Sequence, residues 1–369
     1  AMDIVLGRGG DQAVIRQNDI YKFFGGRAQE VEKRTKVKAR VVAHALENLI
    51  KESNKVMIMG HANPDIDAMG SSIGIYRLAR SLEKNAYIII SNTPTLQSFK
   101  ESLLEEPEYE DVLISKEVAE ENIDEDTLLV IVDTHKINYV ESQEVLNKAK
   151  KIVIIDHHRR SADYIENATL TFQEVYASSA AELVTELLQY AEVNVELKKI
   201  EAESLYAGIM MDTKSFTFKT GVRTFEAAAY LRKCGVDIIR VKKWFQSDLE
   251  SFNKIADIVK KAEIVNDTIA IAICDNANPK DVGLLCAKAA DELLTISDVT
   301  ASFVLGDVGN KITISGRSIG DINVQVILEK LGGGGHITLA GAQVEGMTME
   351  EVKQELIIRI NEYFTEIEN

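Results

Sequence analysis

The chain has 369 residues, and its 46% hydrophobic and 27% charged residues, with 22 glycines and 4 prolines, describe a folded globular protein of two domains or one large one rather than a fibrous or disordered chain. A net charge of −16 argues against a sequence-independent grip on long nucleic acid and leaves small anionic ligands that meet a local positive site. The three cysteines, Cys234, Cys274 and Cys286, are odd in number and lack CxxC or CxxH spacing, so neither a disulfide framework nor a zinc knuckle is implied, and a reducing, cytosolic compartment fits best. No apolar run reaches the ~18 residues of a membrane span.

Residues 3–6 followed by Gly7-Arg8-Gly9-Gly10 read as a helix remnant and turn without a core, so a fragment of a longer protein is expected. Val37, Val41, Ala45 and Leu49 recur every four positions and predict a helix over 36–51. A short apolar strand at 55–60 closes on a glycine, and Met69, Ile73, Leu78 and Leu82 return to helical spacing over 68–82. Strands follow at 86–91, 128–133 and 151–156, with helices at 142–150 and 178–190. Continuous apolar strands alternating with helices predict a mostly parallel sheet covered on both faces. The charged helical stretches 223–233 and 237–261 read as a connector. Strands at 264–265, 268–274, 301–306 and 311–316, with helices at 323–331 and 349–369, then make a second, smaller α/β domain.

Four acidic or histidine clusters fall at element ends, where open parallel sheets place their ligand sites. They are His61-Ala-Asn-Pro-Asp65-Ile-Asp67, Asp133-Thr-His135, Asp156-His157-His158, and Asp212 after the helical stretch 205–211. Turn formation and helix capping account for Asn63-Pro64-Asp65 taken alone, and His135 is as readily a polar residue satisfied at the sheet edge as a member of a site. Four clusters in equivalent places point instead to shared chemistry. His44, in mid-helix without partners, reads as a surface residue. Aspartate and histidine without nearby cysteine suit a borderline-to-hard divalent ion, manganese first, with magnesium and cobalt as alternatives. About seven such side chains exceed the needs of one ion and suit two, roughly 3.5–4 Å apart across a bridging carboxylate, a pair that activates water and clamps phosphoryl oxygens.

In these motifs the sequence resembles the DHH phosphoesterases, whose name is spelled by Asp156-His157-His158. The resemblance covers about residues 36–350: His61-x-x-x-Asp65-x-Asp67 resembles the first motif, Asp133-Thr the second, Asp156-His157-His158 the third, and Gly208-Ile-Met-Met-Asp212-Thr the fourth. Ser315-Gly316-Arg317 and Gly332-Gly-Gly-Gly-Gly-His336 are similar to the DHHA1 domain of one branch. The resemblance implies an α/β DHH domain with a mostly parallel sheet flanked by helices, and a smaller α/β DHHA1 domain across a cleft. It places one metal on His61, Asp65 and Asp133 and a second on Asp67, Asp133, His157 and Asp212. His158, one residue beyond a ligand, is expected to hydrogen-bond the phosphoryl oxygen or leaving group, with Asp156 orienting its neighbours. Arg317, Ser315, Gly333, Gly334, Gly335 and His336 are expected to hold the substrate, the glycines offering bare backbone N–H groups to an anion.

The domains are expected at 1–35 (tail of a GGDEF-like domain and linker), 36–222 (DHH), 223–262 (connector) and 263–369 (DHHA1). Leu6-Gly7-Arg8-Gly9-Gly10-Asp11-Gln12-Ala13-Val14 resembles the end of the degenerate GGDEF-like domain in GdpP-type enzymes. That resemblance implies Mn²⁺-dependent hydrolysis of cyclic-di-AMP to linear 5′-pApA by a homodimer held at the cytoplasmic face of the membrane through N-terminal regulatory and membrane domains absent here. Two alternatives stand beside it: a nano-RNase or 3′-phosphoadenosine-5′-phosphate phosphatase acting on short linear substrates, and a nucleotide sensor that does not hydrolyse its ligand. Type II inorganic pyrophosphatases share the metal motifs, but the glycine run followed by His336 points to the DHHA1 type of second domain.

Overall fold

The computed structural model of the chain describes residues 12–17, 20–25, 36–91, 96–246, 248–275, 278–279, 281–335 and 337–368. Two strands absent from the sequence expectation come first: β1 (Gln12–Gln17) and β2 (Ile20–Gly25), paired antiparallel. The expected helix remnant at 3–6 and the glycine turn at 7–10 lie outside the described residues. The chain divides into two compact units, one ending at Phe245 and the other starting at Gln246, a division inside the stretch read as a connector.

The first unit is a parallel sheet sandwiched between helices. Its strands are β3 (Lys55–Met59), β4 (Asn85–Ile89), β5 (Leu113–Ile114), β6 (Thr127–Val132), β7 (Lys151–Asp156) and β8 (Leu170–Gln173), hydrogen-bonded in the order β5-β4-β3-β6-β7-β8. Its helices are α1 (Lys36–Lys51), α2 (Ile66–Ser81), α3 (Gln97–Leu104), α4 (Lys116–Asn122), α5 (Gln143–Lys148), α6 (Ala180–Tyr190), α7 (Lys199–Asp212), α8 (Val222–Lys233) and α9 (Ile238–Trp244). The apolar run of β6 is buried at every residue. Leu128, Val130 and Val132 face the core shared with α1, α2, α6 and α7, while Leu129 and Ile131 face a smaller core beside α4 and α5. Burial on both faces is why the strands read as continuous rather than alternating apolar runs.

Helix α1 forms where expected, but its buried face is not the one marked by Val37 and Val41, which are 72% and 62% exposed. Ala39, Val42, Ala43, Leu46 and Ile50 go inward instead. Their spacing of three and four follows the 3.6-residue turn, whereas a strict repeat of four drifts around the helix. The long helix expected over 237–261 is two, α9 and α10 (Leu249–Lys260), the second started by Asp248, whose carboxylate accepts the Ser251 N–H at 2.8 Å.

Two features of the first unit prepare its site. The chain lays down β3, β4 and β5 outward, then returns to add β6, β7 and β8 on the other side of β3, so strand order reverses between β3 and β6. The crevice beyond the strands' carboxyl ends at such a reversal is the usual ligand position. Register brings the strand tips level, with Met59 opposite Ile131 and Val132 opposite Ile155. Helices α2 and α7 also approach closely through glycine. A β-carbon on Gly70 would lie 2.3 Å from the Ser204 carbonyl oxygen, and one on Gly208 would lie 2.7 Å from Asp67 Oδ1.

The second unit begins with α10 and holds β9 (Glu263–Val265), β10 (Ile269–Cys274), α11 (Val282–Leu293), β11 (Ala301–Asp307), β12 (Lys311–Ser318), α12 (Val324–Glu329), β13 (Gly334–Gly335), β14 (Leu339–Glu345) and α13 (Met349–Glu368). The sheet order is β13-β14-β12-β11-β10-β9; β10 and β11, linked through α11, are parallel and the other pairs antiparallel. Alternate residues of β10 serve two cores: Ala270, Ala272 and Cys274 pack with α11, and Ile269 and Ile271 with α12 and α13. Among the described residues, no helix is long and apolar enough to cross a membrane.

Candidate metal centre

The strand tips and two helix ends carry every histidine and aspartate singled out by the first three motifs and the fourth. His61 follows β3. Its ring stacks on Tyr139 at 5.2 Å between centroids, and its Nδ1 lies 3.0 Å from the Ala62 carbonyl oxygen, which turns Nε2 toward Asp133 Oδ2 (3.5 Å) and Asp65 Oδ2 (3.9 Å). Asp65 caps α2, with Oδ1 accepting the N–H groups of Asp67 (2.9 Å) and Ala68 (3.1 Å), so the second oxygen is the one facing His61. Asp67, fully buried in the first turn of α2, accepts the Ala180 N–H on Oδ2 (2.7 Å) and the Ala181 N–H on Oδ1 (2.8 Å), at the positive end of α6.

Asp133 ends β6 in a left-handed conformation (φ 59°) that costs a non-glycine residue about 1–2 kcal/mol. That turn sets its carboxylate between two histidines, with Oδ2 near His61 and Oδ1 3.3 Å from His157 Nε2. His157 Nε2 is also 3.1 Å from Asp212 Oδ2 and 4.0 Å from Asp67 Oδ2. Yet neither His157 Nε2 nor Asp133 Oδ1, both buried, completes a hydrogen bond. Buried polar atoms left this way, with several others aimed at the same point, are suited to hold a cation.

Among the described residues, three groups of donor atoms each fall within 4.8 Å: His61, Asp65 and Asp133; Asp67, His157 and Asp212; and Asp133, His157 and His158. Oxygen and imidazole nitrogen without sulfur fit a borderline-to-hard divalent ion. Electrostatics agree. Burial together with the charges of Asp133 and Asp212 pushes the Asp67 carboxyl well above its ordinary range, and burial likewise raises Asp212. Burial opposes the ionisation of Asp133 too, but His157 and His61 hold it at about 2. Burial would lower His61 and His157; Asp133 with Asp65 lifts the first to about 12, and Asp133 with Asp212 lifts the second well above its usual value. So many mutually repelling carboxylates in one buried place are tolerable only when positive charge sits among them.

Asp156 and His135 belong to a second layer. Asp156 Oδ1 accepts both the backbone N–H (3.1 Å) and Nδ1–H (2.8 Å) of His158, and Oδ2 meets His135 Nδ1. The two histidines hold the buried Asp156 carboxyl far below the ordinary aspartate range against the cost of burial. His135, part of a strand-end cluster in the sequence, does not join any of the three donor groups. A cavity of about 220 Å³ over the centre is lined by His61, Asp133, His158 and Asp212, and also by Lys136 and Tyr139, which sequence reasoning missed. A lone Tyr or Lys on a loop carries no pattern that would single it out.

In the second unit, Arg317 and Ser315 lie on β12; the Arg317 guanidinium donates to Asp291 Oδ1 (3.0 Å) and to the Gly316 carbonyl (2.9 Å). The glycine run is not a bare loop. Gly332 (φ 77°) and Gly333 end α12 with N–H groups donated to the carbonyls of Glu329 (3.1 Å) and Leu328 (2.9 Å), and Gly334 and Gly335 pair with β14. The expectation that Gly333 offers its N–H to an anion is therefore corrected, because the helix end takes it. A β-carbon on Gly333 would come within 2.3 Å of the Gly341 carbonyl oxygen, so close strand approach accounts for that glycine. His336 lies outside the described residues.

Residues 55–209 match the DHH family, N-terminal domain, and residues 266–366 match the DHHA1 domain. The chain is 47% identical over 370 aligned positions (99% of its length) to the cyclic-di-AMP phosphodiesterase GdpP of Geobacillus thermodenitrificans, and 44% identical over the same share to the cyclic-di-AMP phosphodiesterase PdeA of Listeria monocytogenes. It spans 56% of the length of each of those relatives. A Bacteroides fragilis exopolyphosphatase-related protein of known structure shares the fold, with a TM-score of 0.76 at 21% identity over 89% of this chain and 98% of that one. With a DHH domain followed by a DHHA1 domain, the chain belongs to the DHH–DHHA1 family.

Proposed function

We propose that the chain is the hydrolytic portion of a metal-dependent phosphodiesterase that opens cyclic-di-AMP to linear 5′-pApA. The observation that carries this reading is Asp133, held by a left-handed turn between two separate histidine–carboxylate groups, with the buried His157 Nε2 unbonded. Two divalent ions, Mn²⁺ in first place, fit the groups. His61, Asp65 and Asp133 would hold one; Asp67, Asp133, His157 and Asp212 the other. Asp212 supports this, because a carboxylate at the last residue of α7 faces the negative end of the helix dipole, a cost that a cation beside it reverses. The 44–47% identity to cyclic-di-AMP phosphodiesterases over nearly the whole chain supports the substrate.

When bound, the ions supply Lewis acidity and lower the pKa of a water molecule. The chain does the rest. Asp67, with both oxygens fixed by backbone N–H groups, is oriented before any ligand arrives. Asp156 accepts the proton on His158 Nδ1 and so orients the ring, leaving Nε2 as the nitrogen that takes up a second proton and donates it to the phosphoryl oxygen or the departing 3′-oxygen. Water adds to phosphorus, the P–O3′ bond breaks, the 3′-oxygen takes a proton, and a 5′-phosphate remains on the linear product. In the second unit, Arg317, Ser315, Gly334, Gly335 and His336 are proposed to hold the nucleotide.

Chromatographic product analysis with cyclic-di-AMP, pApA and 3′-phosphoadenosine-5′-phosphate in parallel, with Mn²⁺ and with EDTA, tests the reading. Metal-dependent conversion of the cyclic compound to pApA is expected. Cleavage of the linear substrates alone overturns the substrate assignment, and no cleavage of any overturns the enzyme.

A further inference from the structure

We propose that His135 is a positioning residue for this reaction, acting through Asp156 on the ring of His158. The proposal rests on the hydrolytic reading above and adds a residue that takes no part in the donor groups. His135 lies two positions beyond Asp133 and borders the same cavity, yet its ring joins none of the three donor groups, and it is 2% exposed. Its Nε2 receives the backbone N–H of Ser161 at 2.9 Å. A peptide nitrogen can only donate, so Nε2 is the unprotonated nitrogen and Nδ1 carries the proton. That proton goes to Asp156 Oδ2.

Asp156 is thus divided between two imidazoles, one oxygen for each, and both rings are held as the Nδ1–H form. The arrangement is braced on every side. Asp156 ends β7 opposite Gln173, whose amide nitrogen donates one of its two hydrogens to the His158 carbonyl at 2.8 Å and lies 3.3 Å from His135 Nδ1. The His135 carbonyl accepts the Ile165 N–H at 2.9 Å, so the loop after the histidine pair wraps the same residue. Without the His135 proton, Asp156 Oδ2 is a buried anionic oxygen with no donor. The carboxylate then rotates to share its remaining donors, and His158 loses its fixed tautomer and angle.

The geometry of amide side chains gives the test. Asn places an N–H near the position of His Nδ1, whereas Gln places its amide near Nε2. We expect His135→Gln and His135→Phe to lower kcat on cyclic-di-AMP by about 10–100-fold with KM within about threefold, the range for partners one shell out from a site. His135→Asn is expected to recover to within about fivefold of the parent, with bound Mn²⁺ per chain equal in all four proteins. A second readout needs no turnover: ¹⁵N-histidine NMR of the full chain should show His158 protonated at Nδ1 in the parent and in His135→Asn, and as a mixture of tautomers in His135→Gln. Equal activities for Asn and Gln, or metal lost in proportion to activity, overturns the proposal. If the parent fails to cleave cyclic-di-AMP, the substrate reading fails, and the positioning role stands or falls on the NMR tautomers alone.

Discussion

Gly208 offers the sharpest test of how the fold sets the metal centre. A methyl group there would sit 2.7 Å from Asp67 Oδ1, 2.8 Å from Ala181 Cβ and 3.0 Å from Asp67 Cα. None of these is the tip of a flexible chain, because Asp67 is pinned by two backbone N–H groups of α6. Gly208→Ala must therefore push α7 from α2, or Asp67 from α6, by several tenths of an ångström. Overpacking of this kind costs about 1–3 kcal/mol, while replacing a mid-helix glycine returns up to about 1 kcal/mol, so a net loss of about 1–2 kcal/mol is expected. Metal affinity should suffer more than stability, since the displaced oxygen belongs to the proposed ligand. Denaturant unfolding without metal gives the first number and Mn²⁺ titration calorimetry the second, with a weakening of tenfold or more expected. Gly283→Ala is the control: it lies in the first turn of α11 with nothing within 4 Å of its added methyl, and should be neutral or stabilising. If Gly208→Ala matches the parent in both stability and Mn²⁺ affinity, the close approach of the two helices is not what fixes Asp67.

Asp133→Ala removes the carboxylate common to both histidine groups; turnover should fall by well over the roughly 100-fold typical of an outer partner, and Mn²⁺ stoichiometry should drop. An active variant with full metal content would refute the bridging role. Glu108 sets a pH dependence. Burial alone would raise it, but Lys198, Tyr76 and Arg77 hold it at about 2. A depressed carboxylate stabilises the fold above its unfolded pKa near 4.5 and loses that contribution as pH falls through 2. After allowance for solvent screening this amounts to about 1 kcal/mol. The stability gap between the parent and Glu108→Gln should be present at pH 6 and vanish near pH 2; a constant gap would mean packing rather than charge. Gly333→Ala should destabilise the second unit by about 1–3 kcal/mol through its clash with the Gly341 carbonyl, while Gly334→Ala, with open space around it, should not. Equal thermal shifts for the two would contradict the strand-approach account.

The candidate metal centre was legible because its residues sit where the hydrophobic runs stop. An apolar strand ending in Asp133 or Asp156 announces both the sheet and the place where its tips meet, and parallel register then levels those tips. The same reasoning passes over helix α11, although Val282, Leu285, Cys286, Ala289, Ala290 and Leu293 follow a helical period, since small residues such as Ala and Cys give a weak apolar signal. It also gives α1 the wrong inner face, because Val37 and Val41 look more apolar than Ala39 and Ala43 but burial follows geometry. Gly332 and Gly333 read as an anion cradle only while the end of α12 is unknown; once that helix exists, its unsatisfied carbonyls claim their N–H groups. What His135 does depends on Ser161, 26 residues away, and no local pattern records a partner that distant.

The two backbone bonds that Asp67 makes to α6 have a consequence for how this fold would decay over evolutionary time. Selection for a stable protein alone keeps an aspartate there, since losing it strands two buried N–H groups. His157 has no such second occupation, as its ring closes no hydrogen bond among the described residues. In a descendant relieved of the proposed catalysis, His157 should drift first and Asp67 last. An intact aspartate at this position in a distant copy would then testify to a helix still capped, and only the histidine to the proposed metal chemistry.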